Sequence, residues 1–429
     1  MPIDKPYDVI IVGAGAAGLM AAWELIAAGK SVLILEARSR CGGRILTITD
    51  DNFPIPIELG AEFVHGNLPT TKKLVKKAGT KWHKVKGSFW QHRHGRLFQS
   101  EEQILGSDKV LNALDEVKED IPIAQFLNTF FPEDEEIREG LKSYVEGYYA
   151  GDINRVSTFA LKEELEESDD EDYRIEGGYK TIIDYLVKEV QGQGCKIMLD
   201  TPVLAIEWKP GEVMVATKNQ TFQSEMVIIT APLEVLRNNT IAFFPTLPQL
   251  HEALDSLGYG PAIKILFSFK TAFWEENSEL KDLSMLFSDE VIPTWWTQFP
   301  KQVPVLVGWA AGGQAKDLVL LEKEELCEKA LHALANILNV SDAFLKKQLK
   351  GWCLNNWSKN PYTRGAYSYD TVNENQFKNT IKAGIDNTIF FAGEGWFHGL
   401  ELGTVEAAFN SGKETAQHII ARSKKKNGN

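Results

Sequence analysis

Little in this chain would staple it or anchor it. Its 429 residues hold only four cysteines, Cys41, Cys195, Cys327 and Cys353. They lie far apart with no CxxC and no neighbouring histidine pattern, so no disulfide framework and no metal site is indicated. No window approaches about eighteen uninterrupted apolar residues, and no membrane span is expected. The first residues lack the basic and apolar regions of a signal peptide. Cytoplasm is therefore the expected location. Positive charge is also short, with 46 Lys and Arg against 59 Asp and Glu, a net charge of −13. Nucleic acid needs a basic field and is not an expected partner, whereas a small cationic ligand is weakly favoured. Part of the acid is concentrated in Glu163–Asp172, which reads as a solvated loop or helix face. The closing Arg422–Asn429 reads as a frayed, solvated tail. Internal repeats and low-complexity linkers are missing too.

What is present is concentrated at the start. Tyr7-Asp-Val-Ile-Ile-Val12 runs into Gly13-Ala-Gly15-Ala-Ala-Gly18, and Glu36 follows a helix and a strand later. The apolar run 9–12 reads as a buried strand, Ala16–Ala28 as an alanine-rich helix closed by Gly29, and Ser31–Leu35 as a second parallel strand. Gly13 allows the tight turn, Gly15 lets backbone approach a pyrophosphate, and Gly18 lets the helix pack on the strand. Ala16 and Ala17 open a helix whose free N–H groups suit phosphates. Glu36 stands where a carboxylate accepts both ribose hydroxyls and repels a 2′-phosphate. With strand, turn, helix, strand and acid all in order, this is a dinucleotide-binding unit and not a loose glycine match. Ala37 and Arg38 continue into Gly42-Gly43-Arg44, where paired glycines and a fixed cation suit a pyrophosphate. Leu59-Gly60-Ala61-Glu62-Phe63-Val64-His65-Gly66 comes next.

At this point the chain resembles the flavin-containing amine oxidases, the family of monoamine oxidases, polyamine oxidases and lysine-specific histone demethylases. In motif it is nearest the polyamine oxidases. The resemblance covers nearly the full length and recurs at Tyr144–Tyr149, Gly177–Tyr179, Ile228–Pro232, Gly258–Lys264, Trp357–Tyr367, Phe391–Glu394 and Gly403–Ala407. It implies an α/β fold in which a Rossmann-type FAD-binding domain (residues 1–67, 196–245 and 376–429) is interleaved with an α+β substrate domain (68–195 and 246–375). Two domains also suit a chain of this length. The implied cofactor is FAD, with further contacts from Val203, Trp357, Gly393 and Glu394, the last toward the ribityl chain. The closing helix carries an apolar stripe at Val405, Ala408, Phe409, Gly412, Ala416 and Ile419. Its start near Gly403-Thr404-Val405 would point a positive end at the flavin's N1–C2 edge. Ala366 occupies the place where monoamine oxidases carry the cysteine that bonds FAD, so FAD is expected to be non-covalent.

The implied reaction moves a hydride from the carbon beside an amine nitrogen to flavin N5. The imine then hydrolyses, and O2 is reduced to hydrogen peroxide. Lys264 lies in the strand Ala262–Phe269 opposite the face of Ile263, Ile265, Phe267 and Phe269; the family's lysine there holds a water on N5 and assists oxygen. Tyr367 supplies one wall of the family's aromatic cage. Trp396 or Phe397 would be the other wall, which the sequence leaves open. Glu62 stands where L-amino-acid oxidases hold a substrate carboxylate with arginine, and a carboxylate there would attract an ammonium instead. His65 would accept a proton or hydrogen bond from the amine. The alternatives are a flavin enzyme of the same fold acting on an amino acid or non-amine substrate, and a scaffold using FAD structurally. Oligomeric state stays open.

Overall fold

The computed structural model describes residues 6–66, 68–100, 104, 106–167, 171–372 and 381–427, without the side chains of Glu167 and 424–427. Three distant pieces of chain build one sheet. Strand Tyr7–Val12 lies parallel between Val32–Leu35 and Thr221–Ile229. Lys196–Met198 adds outside Val32–Leu35, and Ile389–Phe391 adds in parallel to Thr221–Ile229. Val9–Val12, Val32–Leu35 and Ile389–Phe391 are short apolar runs because both their faces are covered. Helices Ala16–Ala27 and Val405–Asn427 pack together on one face, so closely that a Cβ at Gly412 would come within 2.2 Å of the Ala17 carbonyl oxygen.

The second large sheet runs Leu349–Asn356, Ala262–Phe269, Val305–Ala311, Thr294–Trp296, Leu283–Ser288, Ser88–Arg93 and Arg96–Gln99. Ala262–Phe269 lies second from one edge, paired on both sides, and every one of its residues is buried. Ile263, Ile265, Phe267 and Phe269 pack with helix Lys323–Ile337 in one apolar core. Full burial of each such side chain contributes about 1.5–3 kcal/mol. The opposite face carries Lys264, beside Asn355 on one neighbouring strand and Trp309 on the other.

Two boundary expectations need correction. Helices Pro69–Lys77 and Lys180–Gly192 fall in the stretch expected to belong to the substrate domain, yet Leu74, Val75, Ile182 and Leu186 share a core with Ile11 and Leu19 of the first sheet. Their lysine-rich outer faces identify amphipathic helices but not the core their apolar faces join. The closing helix also continues to Asn427 where a frayed tail was expected; residues 428–429 lie outside the described set, as do 168–170 of the acidic run. Among the described residues no helix is long and apolar enough to cross a membrane, and no His, Cys, Asp and Glu group is placed to hold a metal.

Candidate active site

One cavity of about 560 Å³ connects the glycine turn at the end of the first strand to the face of the second sheet that carries Lys264. Gly13, Gly15, Ala16 and Ala17 line it. Gly13 has φ +107°, and a Cβ there would meet Thr230 Oγ1 at 2.5 Å. Gly18 works behind the wall, where a Cβ would come within 2.1 Å of the Gly13 carbonyl oxygen, and it does not line the cavity. The Glu36 carboxylate is fixed by the backbone N–H of Ala14 at 2.7 Å and of Arg38 at 2.9 Å. Ala37, Arg38, Gly43, Arg44 and Val203 complete this part. Arg38 donates through Nη2 to Asn360 at 2.9 Å, while its buried Nε has no hydrogen-bond partner. An orphaned guanidinium N–H in a cradle without side chains suits an anionic group such as a dinucleotide's pyrophosphate.

Further along, Arg44 Nη1 donates to Glu394 Oε1 at 2.5 Å and to the Ala366 carbonyl at 2.7 Å. Ser368 also donates to Glu394, through its backbone N–H and its hydroxyl, each at 3.2 Å. Gly60, Ala61, Trp357, Gly393, Gly403, Thr404 and Val405 all line the cavity. Thr404 Oγ1 accepts from Ala407 N–H at 3.2 Å, so it caps the closing helix, whose N-terminus opens onto the cavity. Leu59 does not line it; its carbonyl accepts from Trp357 Nε1 at 3.2 Å and Asn355 Nδ2 at 3.0 Å, holding the cavity wall from behind.

Lys264 is 1% exposed and its Nζ donates to Glu62 Oε2 at 2.6 Å and to the Gly60 carbonyl at 3.2 Å. Glu62 Oε1 accepts from Arg174 Nε at 2.9 Å, and from Trp296 Nε1 and Gln298 Nε2 at 3.1 Å each. Burial alone would raise the Glu62 pKa, but Lys264 and Arg174 more than reverse this and hold it at about 2. This corrects the expectation that Glu62 offers an open charge to a substrate ammonium, because two protein cations already neutralise it.

Tyr367 lines the cavity with its ring stacked on Trp309, centroids 6.3 Å apart and planes 11° apart. A second ring on the cavity wall is Trp309, from the strand beside Lys264. Trp396 is a correction: it packs on Phe391 in the core under the first sheet and does not reach the cavity. Sequence spacing cannot tell on which side of a short turn a ring falls. His65 does line the cavity, and its Nδ1 meets Asp172 Oδ1 at 2.7 Å. Burial would push the imidazole down, but Asp172 outweighs it and the net shift is upward. Tyr144, Tyr148, Tyr149, Glu164 and Asp172 are additional lining residues. The last two come from the acidic run expected to be only a solvated face.

The family described as flavin containing amine oxidoreductase matches residues 16–420. The chain belongs to the flavin-containing amine oxidoreductases. This amine oxidoreductase is 28% identical to polyamine oxidase 2 of Arabidopsis thaliana, across 97% of the chain and 88% of that protein. It is 27% identical to lysine-specific histone demethylase 1 homolog 2 of Arabidopsis thaliana, covering 98% of the chain and 60% of that larger protein. Among solved structures, putrescine oxidase bound to putrescine superimposes with a TM-score of 0.81 at 21% identity, over 97% of this chain and 100% of that one. Cyclohexylamine oxidase from Brevibacterium oxydans IH-35A gives 0.82 at 19% identity, over 98% and 100%. The amine oxidase fold follows, with a flavin as its cofactor.

Proposed function

We propose that the protein is an FAD-dependent oxidase of a polyamine-like primary or secondary amine. The observation carrying this reading is the continuity of one cavity from the Glu36 cradle to a chamber walled by Lys264, Tyr367 and Trp309. When bound, FAD supplies a two-electron acceptor for hydride and passes the electrons to O2 as hydrogen peroxide. Gly13, Gly15, Glu36, Arg38 and Arg44 hold the dinucleotide, and the N-terminus of the closing helix faces the charge that develops on reduction. With Ala366 lining the cavity in the place of an attaching cysteine, the cofactor is non-covalent.

Tyr367 and Trp309 present flat apolar faces that orient the amine and exclude water. His65, with Nδ1 tied to Asp172, offers Nε2 to the amine, which must lose a proton before its carbon can surrender hydride. Loss of hydride leaves an iminium, and water splits it to an aldehyde and either ammonia, from a primary amine, or the shortened amine, from a secondary one. A second reading, oxidation of an amino acid, draws support from Arg93, a cation that lines the same cavity. Anaerobic addition of spermine, spermidine, putrescine, aromatic monoamines and amino acids to the purified protein separates the two. Polyamines should bleach the flavin absorption; bleaching by amino acids alone would overturn the proposal in favour of the second reading.

A further inference from the structure

The cavity holds two carboxylates in different circumstances. Glu62 is saturated by Lys264 and Arg174. Glu164, on helix Thr158–Glu167, lines the same cavity, and among the described residues no Lys or Arg pairs with it. Its neighbours are neutral hydroxyls: Tyr149 Oη donates to Glu164 Oε2, and Tyr148 is also within hydrogen-bonding reach. The cation facing it is His65, already paired with Asp172. Tyr148 links this cluster to the reaction chamber, since its carbonyl accepts from Tyr367 Oη at 2.7 Å and its ring stacks on Tyr144, 5.3 Å between centroids. Its ring also meets His65 edge-on at 5.6 Å.

We propose that Glu164 is the specificity-determining carboxylate of this site, receiving the second ammonium of a diamine or polyamine while the first amine lies against the Tyr367 and Trp309 wall of the chamber. This rests on the amine oxidase reading above. Two tyrosines at one carboxylate, with Tyr144 packed against both their rings, suit an ammonium, which donates a charge-assisted hydrogen bond to the acid and gains cation–π contact from the rings. An apolar end group would leave the half-buried Glu164 carboxylate without a counter-cation, so the site selects against monoamines. Burial pushes the Glu164 carboxyl up to about 7, with Asp370 adding to the rise and the Tyr149 hydroxyl and His65 opposing it. Asp172, Tyr144 and Tyr367 are the other titratable groups of the cluster. An arriving ammonium favours the ionised carboxylate, so diamine preference should grow as pH rises through neutrality.

The test is anaerobic flavin reduction by diaminooctane and by octylamine, measured as Kd and limiting rate at pH 6 and pH 8 for the wild type and Glu164→Gln. Gln keeps an acceptor for Tyr149, and an unchanged flavin spectrum shows that the chamber is intact. The expected result is a wild-type preference for the diamine that rises with pH. In Glu164→Gln that preference drops at least tenfold at pH 8 and becomes flat with pH, with diamine binding weakened and octylamine binding tightened, while Glu164→Asp restores part of it. Equal loss for both amines, or an unchanged diamine preference, would overturn the assignment yet leave the amine oxidase function standing. If neither amine reduces the flavin of the wild type, function and assignment fall together.

Discussion

Glu62, Lys264 and Glu58 are buried ionisable groups whose behaviour is set by whether the fold supplies a counter-charge. Glu62 is depressed to about 2, so it contributes stability that is present above its ordinary 4.5 and lost only as pH falls toward 2. Glu62→Gln would leave Lys264 and Arg174 buried without their anion. Removing one partner of a buried pair costs about 3–5 kcal/mol, so urea unfolding should show a loss of that order. A variant that unfolds like wild type but binds amines weakly would instead restore Glu62 as a substrate ligand. Lys264→Met leaves Glu62 paired with Arg174 at 2.9 Å, so flavin binding should survive, while reoxidation by O2 slows by about tenfold or more in stopped-flow traces. Unchanged oxygen reactivity would remove that role. Glu58 shows the opposite sign. Burial lifts it to about 7, opposed by Thr47 Oγ1 and the Tyr179 N–H, so the folded state is penalised increasingly as pH rises from 4.5 to 7. Glu58→Gln should match wild type below pH 4.5 and be more stable at pH 8 by roughly 3 kcal/mol, read from denaturation midpoints at both pH values. Lys264 was legible in the sequence because a cation in an apolar strand must face something. Glu164 was not, because an acidic run looks the same whether or not tertiary packing turns one of its side chains inward.

At the scale of elements, the opening strand, turn and helix were readable because each glycine answers a local steric demand. Helix Ala16–Ala27 ends one residue before the expected Ala28, and the expected strand Ser31–Leu35 forms at Val32–Leu35. The period was right in both, and the ends moved with hydrogen bonding that periodicity does not report. The placement of helix Pro69–Lys77 was not readable. Its entry is fixed by Glu406, fully buried, which accepts from Thr70 N–H at 2.8 Å and from Thr71 N–H and Oγ1 at 2.7 Å. No local pattern announces a helix cap supplied from more than three hundred residues away. Glycine substitutions separate the two kinds of constraint. Gly18→Ala drives a Cβ against the Gly13 carbonyl and should destabilise the protein by several kcal/mol while releasing flavin. At Gly192, the last residue of its helix, a Cβ meets nothing within 4 Å. Gly192→Ala should therefore raise stability by about 0.5–1 kcal/mol with no effect on the flavin. Thermal melts of both variants check the opposite signs; two equal gains would mean that helix propensity, not close approach, governs Gly18.

Across the whole molecule, the cavity is walled from two sheets that share no strand: Gly13 and Thr230 belong to one side, Lys264 and Trp309 to the other. A ligand seated along it therefore couples two cores that the chain connects only through loops and shared helices. The discontinuity of the first sheet was legible through the resemblance to the flavin-containing amine oxidases, which implied that residues 196–245 and 376–429 join the opening segment. The sequence could not foretell how the cavity walls would be divided, because that depends on how the two sheets pack. A non-covalent cofactor that binds only the folded state should stabilise it by about 2.7 kcal/mol at a free concentration one hundred times its Kd. The melting temperature should then fall when the flavin is stripped and climb again with added FAD. Acid precipitation should leave the yellow colour in the supernatant and a colourless pellet. Colour that stays with the denatured chain would establish a covalent bond. A search for the attached residue would then begin among the other side chains lining the cavity, because Ala366 has no nucleophile to form that bond.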